Sequence, residues 1–236
     1  MHLRPCVFGW VWFAVSSAMA APPPGIPWWH YADPEFPAQL LSTTVRDGFV
    51  TVLFTFDENG RITDRVALEA SHPGFVAAVF AATAGWEIDI ARLGRFYRRE
   101  FVQFSFERKN IVVSMNQRDA MKAAFTPFGD KAAVALHSCR EEELGSGLEA
   151  VVKALPVYPP ALKKNHVGGE ASVSFVVDTA GQVRVPVVTD ATDPEFGEAV
   201  LAAIKEWHFS TPLVNGLPVQ VLANRTFNFG TYPPVK

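Results

Sequence analysis

Two stretches of the chain follow one plan, and that repetition restricts the available folds more than any bulk property does. Residues 75–88 read FVAAVFAATAGWEI and residues 196–209 read FGEAVLAAIKEWHF, with Phe first, Ala-Val three and four places on, and Trp twelfth. The same register runs upstream. Asp57-Glu58-Asn59-Gly60 matches Asp178-Thr179-Ala180-Gly181, and His72-Pro73-Gly74-Phe75 matches Asp193-Pro194-Glu195-Phe196. From the Asp turn to the Trp the offset is constant, 178 − 57 = 121 and 207 − 86 = 121. Further upstream, Phe36-Pro37 and Tyr158-Pro159 open the two stretches, each with Leu at the fifth position. Chance does not hold a register through so many turn and core positions. The sequence therefore predicts one unit written twice.

Each unit reads as an α+β module. FVTVLFTF and ASVSFVV alternate or run apolar with β-branched and aromatic residues, the pattern of strands. Asp-x-x-Gly then suits a hairpin loop on a type I turn, with Gly supplying a positive φ. A second strand leaves that turn. Asp193-Pro194 fits the cap and first turn of a helix, while His72 holds the weaker cap in the first unit. Phe75, Val79, Ala82 and Trp86 fall on one helical face, as do Phe196, Val200, Ala203 and Trp207, so each helix covers one side of a sheet. A third strand closes each unit, FVQFSF in the first and PVQVLANRTFNF in the second, the latter announced by the Asn215-Gly216 turn. A short helix is expected around each aromatic-Pro pair.

The chain has 236 residues, 49% hydrophobic and 19% charged with a net charge of −3, which is globular and lacks a polycationic signature for nucleic acid. Its first residues read as a targeting segment: Arg4, an apolar run over 7–15, and Ala18-Met19-Ala20, with a cut expected after Ala20. The rival reading is a retained membrane anchor. The resulting division is a signal peptide at 1–20, a first unit at 27–108, a connecting segment at 109–150 and a second unit at 151–236. In the connecting segment, Ser146-Gly147-Leu148-Glu149 reads as a capping box opening a helix that ends at Leu155, and residues 129–145 read as helical, with a strand over residues 131–138 as the alternative. The segment is too apolar for a free linker and is expected to pack between the units.

No residue set calls for catalysis. His137-Ser138-Cys139 brings two possible ligands together where a metal site needs three or four, and Cys139, the one cysteine beyond residue 20, is expected to be buried. Glu141-Glu142-Glu143 reads as a solvated helix face, and the aromatic cluster Trp28-Trp29-His30-Tyr31 as a plug on the first core. The sequence points to a non-enzymatic protein without cofactor or metal.

A family pattern accounts for the punctuation of the second unit: Tyr158-Pro159, Gly169, Val173, Phe175, Asp178, Gly181, Phe196, Ala199, Trp207, Phe209, Pro212, Asn215-Gly216 and Pro218-Val219. In these residues it resembles the C-terminal domain of TonB, the periplasmic part of the bacterial energy transducer. The resemblance covers residues 158–229 well and residues 36–106 in degraded form. It implies two tandem units, each a three-stranded antiparallel sheet with helices packed on one face. It also implies docking of an extended peptide or envelope protein, such as a TonB-dependent outer-membrane receptor, by strand addition at a sheet edge. The last strand, residues 219–229, is the candidate edge, with Val219, Val221, Ala223 and Arg225 along it and Tyr158 nearby. Coverage of that edge by the connecting segment or by a dimer is the alternative. A periplasmic location without an energy-transducing anchor follows if the leader is cleaved. Two further readings stay open: a structural pseudo-dimer in an envelope assembly, and an anchored transducer if the leader is retained.

Overall fold

The Asp-x-x-Gly turns are the points from which both units are built. Asp57 Oδ1 accepts the backbone N–H groups of Asn59 and Arg61 at 2.8 and 2.9 Å, and Asp178 Oδ1 accepts those of Ala180 and Gln182, both at 2.9 Å. Gly60 and Gly181 both take φ +81°, and a Cβ on either would lie 1.9 or 2.0 Å from the carbonyl oxygen of Ile88 or Phe209. Only glycine fits such an approach. Those same partners donate back, Ile88 N–H to Gly60 O and Phe209 N–H to Gly181 O, both at 2.9 Å. The turn and the Trp-x-apolar tripeptide are therefore one device, which is why sequence repeats them together.

The computed structural model describes residues 28–30, 32–88, 98–108, 111–114, 136–145 and 147–230. In the first part lie β1 (Trp28–His30), β2 (Asp47–Phe56), β3 (Ile62–Ala70), α1 (Pro73–Ala82), β4 (Glu87–Ile88), β5 (Arg99–Glu107) and β6 (Ile111–Ser114). Then come β7 (Ser138–Arg140), β8 (Ala150–Val152), α2 (Pro160–Lys164), β9 (Gly169–Val177), β10 (Val183–Ala191) and α3 (Pro194–Lys205). The chain closes with β11 (His208–Phe209), β12 (Leu213–Val214), β13 (Leu217–Pro218) and β14 (Gln220–Phe229). Two four-stranded sheets result, in the orders β3-β2-β5-β6 and β10-β9-β14-β7. The expected three antiparallel strands are present in each. The fourth strand of each is a correction: β6 joins antiparallel, whereas β7 joins parallel. The predicted signal peptide lies outside the described residues.

α1 and α3 begin as their caps direct, with His72 Nδ1 accepting from Gly74 N–H at 3.0 Å and Asp193 Oδ1 from Glu195 N–H at 2.9 Å. α1 lays Phe75 and Val79 on β2 and β5, where Phe75 stacks on Phe106 at 4.7 Å. α3 lays Phe196, Val200 and Ile204 on β9, with Phe196 stacked on Phe229 at 4.3 Å. Trp86 and Trp207 close these cores and donate their indole N–H groups to Ala32 O and Ala154 O, at 3.1 and 2.7 Å. Each fully buried aromatic contributes about 2–3 kcal/mol over its exposed state.

The faces away from the helices pack against each other. Leu53, Val66, Leu68 and Phe101 of the first sheet meet Val176, Val185 and Leu222 of the second. Polar groups fix the alignment. Arg99 donates to Ser174 Oγ at 2.8 Å, Gln220 Nε2 to Ala67 O at 2.8 Å, and Arg184 binds both Asp64 oxygens at 3.0 and 2.6 Å. Asp64 Oδ2 also accepts the N–H of Val185, which is fully buried at φ +46°, a costly conformation for a β-branched residue. Burial pushes the Asp64 carboxyl up, but Arg184 and the N–H groups of Arg65 and Val185 together hold it below its ordinary value. The layers run α1, first sheet, second sheet, α3.

The connecting segment corrects the sequence reading. Residues 147–159 contain β8 and no helix. β8 pairs with β11, and Leu148, Ala150 and Ala154 pack on the second core with the period of two that a strand produces. Residues 138–140 are likewise a strand, and Glu141–Glu143 form a 3-10 turn in place of the expected helix face. The described part of the segment does run between the units: Leu136 N–H donates to Ala70 O, and Gln220 N–H to His137 O.

Candidate functional site

The backbone of β14 defines the site. Its ladder with β9 is continuous from Val221↔Val177 to Phe229↔Gly169. Since the Gln220 N–H points outward to His137 O, strand alternation turns the backbone groups of Leu222, Asn224, Thr226 and Asn228 to the same outer side. β7 covers the start of that side, in the register Gln220↔Ser138, Val221↔Cys139 and Leu222↔Arg140. Beyond Arg140 no described strand lies alongside, so Asn224, Thr226 and Asn228 form an open edge. Their side chains are exposed and polar, and Thr226 Oγ1 lies 2.8 Å from Ser172 Oγ.

Of the residues singled out from sequence, Val221, Ala223 and Arg225 lie on this strand in the opposite phase, Val219 just precedes it and Tyr158 stands before α2. Val219, Val221 and Ala223 are buried, the first two in a small cluster with Cys139 and Leu144. Cys139 is buried, as expected. Tyr158 sits edge-on to Phe196 and Phe229 and donates to Gly230 O at 2.9 Å, a core-closing role. Arg225 alone reaches the edge. Its guanidinium binds both oxygens of Glu141 at 2.7 and 2.8 Å and donates to Asn224 O at 2.7 Å. Sequence reasoning named side chains, whereas the groups left facing outward at this edge are backbone groups of the even-numbered positions. The outward N–H of Gln220 sets that phase, and hydrophobic alternation, Val221 and Ala223 against Asn224 and Thr226, was the available signal.

A second concavity lies where the units meet. It is a cleft of about 710 Å³ lined among others by Phe56, Asp64, Arg98, Val187, Leu201 and Lys205. Asp64 is already held by Arg184, and the lining mixes polar and apolar side chains. On β5, burial pushes the Glu100 carboxyl up to about 7. Among the described residues no group of three or more His, Cys, Asp or Glu is placed to hold a metal ion, and no helix is long and apolar enough to cross a membrane.

The open edge thus belongs to a ββαβ unit with a Trp-clamped arm, and residues 154–231 match the family model described as Gram-negative bacterial TonB protein C-terminal. The second unit matches the TonB C-terminal family. The TonB match begins at Ala154, whose carbonyl Trp207 holds, and includes all of β14. It includes neither the first unit nor β7. Solved structures similar to the chain include the Pseudomonas aeruginosa TonB C-terminal domain, 22% identical over 37% of this chain and 90% of that one, with a TM-score of 0.32. Another is the TonB2 protein from Vibrio anguillarum, 28% identical over 37% of this chain and 82% of that one, with a TM-score of 0.30. No curated protein matches the sequence.

Proposed function

We propose that the chain is a non-enzymatic binding protein of the periplasm that captures an extended segment of an envelope protein by strand addition along β14. The observation that carries this reading is the outer backbone at Asn224, Thr226 and Asn228, alongside which no described strand lies, in the unit that matches the TonB C-terminal family. A peptide laid there gains main-chain hydrogen bonds, which are nearly independent of its sequence, and selectivity then rests on side chains beside the edge. An exposed edge left without purpose invites aggregation, so one kept open and polar supports a docking role. A TonB-dependent outer-membrane receptor is the partner class that the family resemblance favours. The first unit is a diverged copy whose sheet backs the second and holds it rigid.

Titration of the protein with an extended TonB-box-like peptide, followed by amide NMR, tests the proposal. Shifts centred on residues 222–228 are expected, and their absence there removes its support. The back-to-back packing of the two sheets favours one further reading, a structural pseudo-dimer in an envelope assembly. Cross-linking in intact cells separates the two, because stable stoichiometric partners belong to assembly and transient ones to peptide capture.

A further inference from the structure

We infer that β7 and the turn behind it, residues 138–141, are a built-in occupant of the docking edge that an incoming strand must displace. This rests on the docking reading and concerns its regulation. β7 pairs with only three of the ten residues of β14 and stops where the open edge starts. It runs parallel to β14, the slightly weaker of the two pairings, while the β9–β14 ladder that holds the unit together is antiparallel and complete. Removing β7 therefore leaves the ββαβ unit intact and lengthens the free edge toward Gln220. β7 also lies outside the stretch that matches the family, whereas the edge it covers lies inside.

Side-chain contacts add to the backbone pairing that holds the occupant. One is Cys139, packed with Leu144, Val219 and Val221. Another is the fork of Arg225 on Glu141, whose side chains remain 27% and 28% exposed, so water can compete for it. The same guanidinium donates to Asn224 O, the first carbonyl beyond the end of β7. The latch thus blocks the acceptor that an arriving strand would meet first. Breaking the Arg225–Glu141 pair loosens β7 and releases the guanidinium from its second anchor, so that an arriving strand can push it off that carbonyl.

The experiment uses the full chain, a labelled synthetic peptide of its own residues 136–144, and a TonB-box-like peptide. Affinity is measured for wild type and Glu141→Gln, with hydrogen exchange read at residues 138–141 and 224–228. Cys139→Pro is the second variant, since alternation from His137 O turns the Cys139 N–H toward β14 and proline removes it. Glu141→Gln is expected to bind about two- to fivefold more tightly than wild type. On binding, residues 224–228 gain protection and residues 138–141 lose it, and Cys139→Pro binds at least as tightly as Glu141→Gln. If residues 224–228 gain protection while 138–141 keep theirs, and affinity is equal in all three proteins, the inference is overturned and docking stands. If neither peptide binds wild type or either variant, both fall.

Discussion

Gly60 and Gly181 each combine a left-handed backbone with a carbonyl oxygen where a Cβ would go. Gly181→Ala is expected to lower stability by about 2–4 kcal/mol in urea unfolding. Gly216→Ala is the control. It shares a positive φ of +79° but meets no atom within 4 Å, so its loss should stay near 1 kcal/mol. Glu100 acts through pH. The folded chain holds its proton up to about 7, while the unfolded carboxyl titrates near 4.5. Its contribution is therefore complete below 4.5 and is lost as pH rises through about 7. Glu100→Gln should remove that slope from the thermal midpoint and stabilise the protein at pH about 8 by on the order of 2–3 kcal/mol.

β14 serves two ladders with alternate residues, and substitutions along it should separate them. Thr226 presents its N–H to the open edge, so Thr226→Pro is expected to weaken peptide binding about tenfold or more while unfolding changes by only about 1 kcal/mol. A full loss of folding on that change would mean that Thr226 belongs to the β9 ladder. Much of this element level was legible in the sequence. Asp178 and Gly181 announced the hairpin, Asp193-Pro194 the start of α3, and Asn215-Gly216 the tight turn, whose residues take φ +53° and +79°. Each is a local rule carried by one or two residues. β7 was not legible, because three residues followed by three glutamates become a strand only through a partner some eighty positions away. Residues 147–155 misled for a related reason: pairing of β8 with β11 and the hold of Trp207 on Ala154 outweigh a local helix signal.

At the scale of the whole molecule, the two sheets bury each other's outer faces, and the sequence held a sign of this. Val176 beside Val177, Leu53 beside Phe54 and Phe101 beside Val102 are apolar on successive residues, which a sheet with one wet face would not have. Their pairing across the two units was beyond sequence, since alternation tells that a face is buried but not against what. Asp64 links the units through Arg184 and Val185, so Asp64→Ala is expected to cost about 1–3 kcal/mol and to leave the buried N–H of Val185 without that acceptor. Calorimetry should record one cooperative transition shifted downward, and a split into two transitions would mean that the units are coupled chiefly through this ion pair. Under the proposed docking role the backing sheet matters because it holds the β9–β14 ladder in place before a strand arrives. Residue-resolved amide exchange with and without saturating TonB-box-like peptide tests the central claim most directly. The predicted result is slowed exchange at Asn224, Thr226 and Asn228 with no change at Arg225 and Phe227, and unchanged exchange along all five would contradict it.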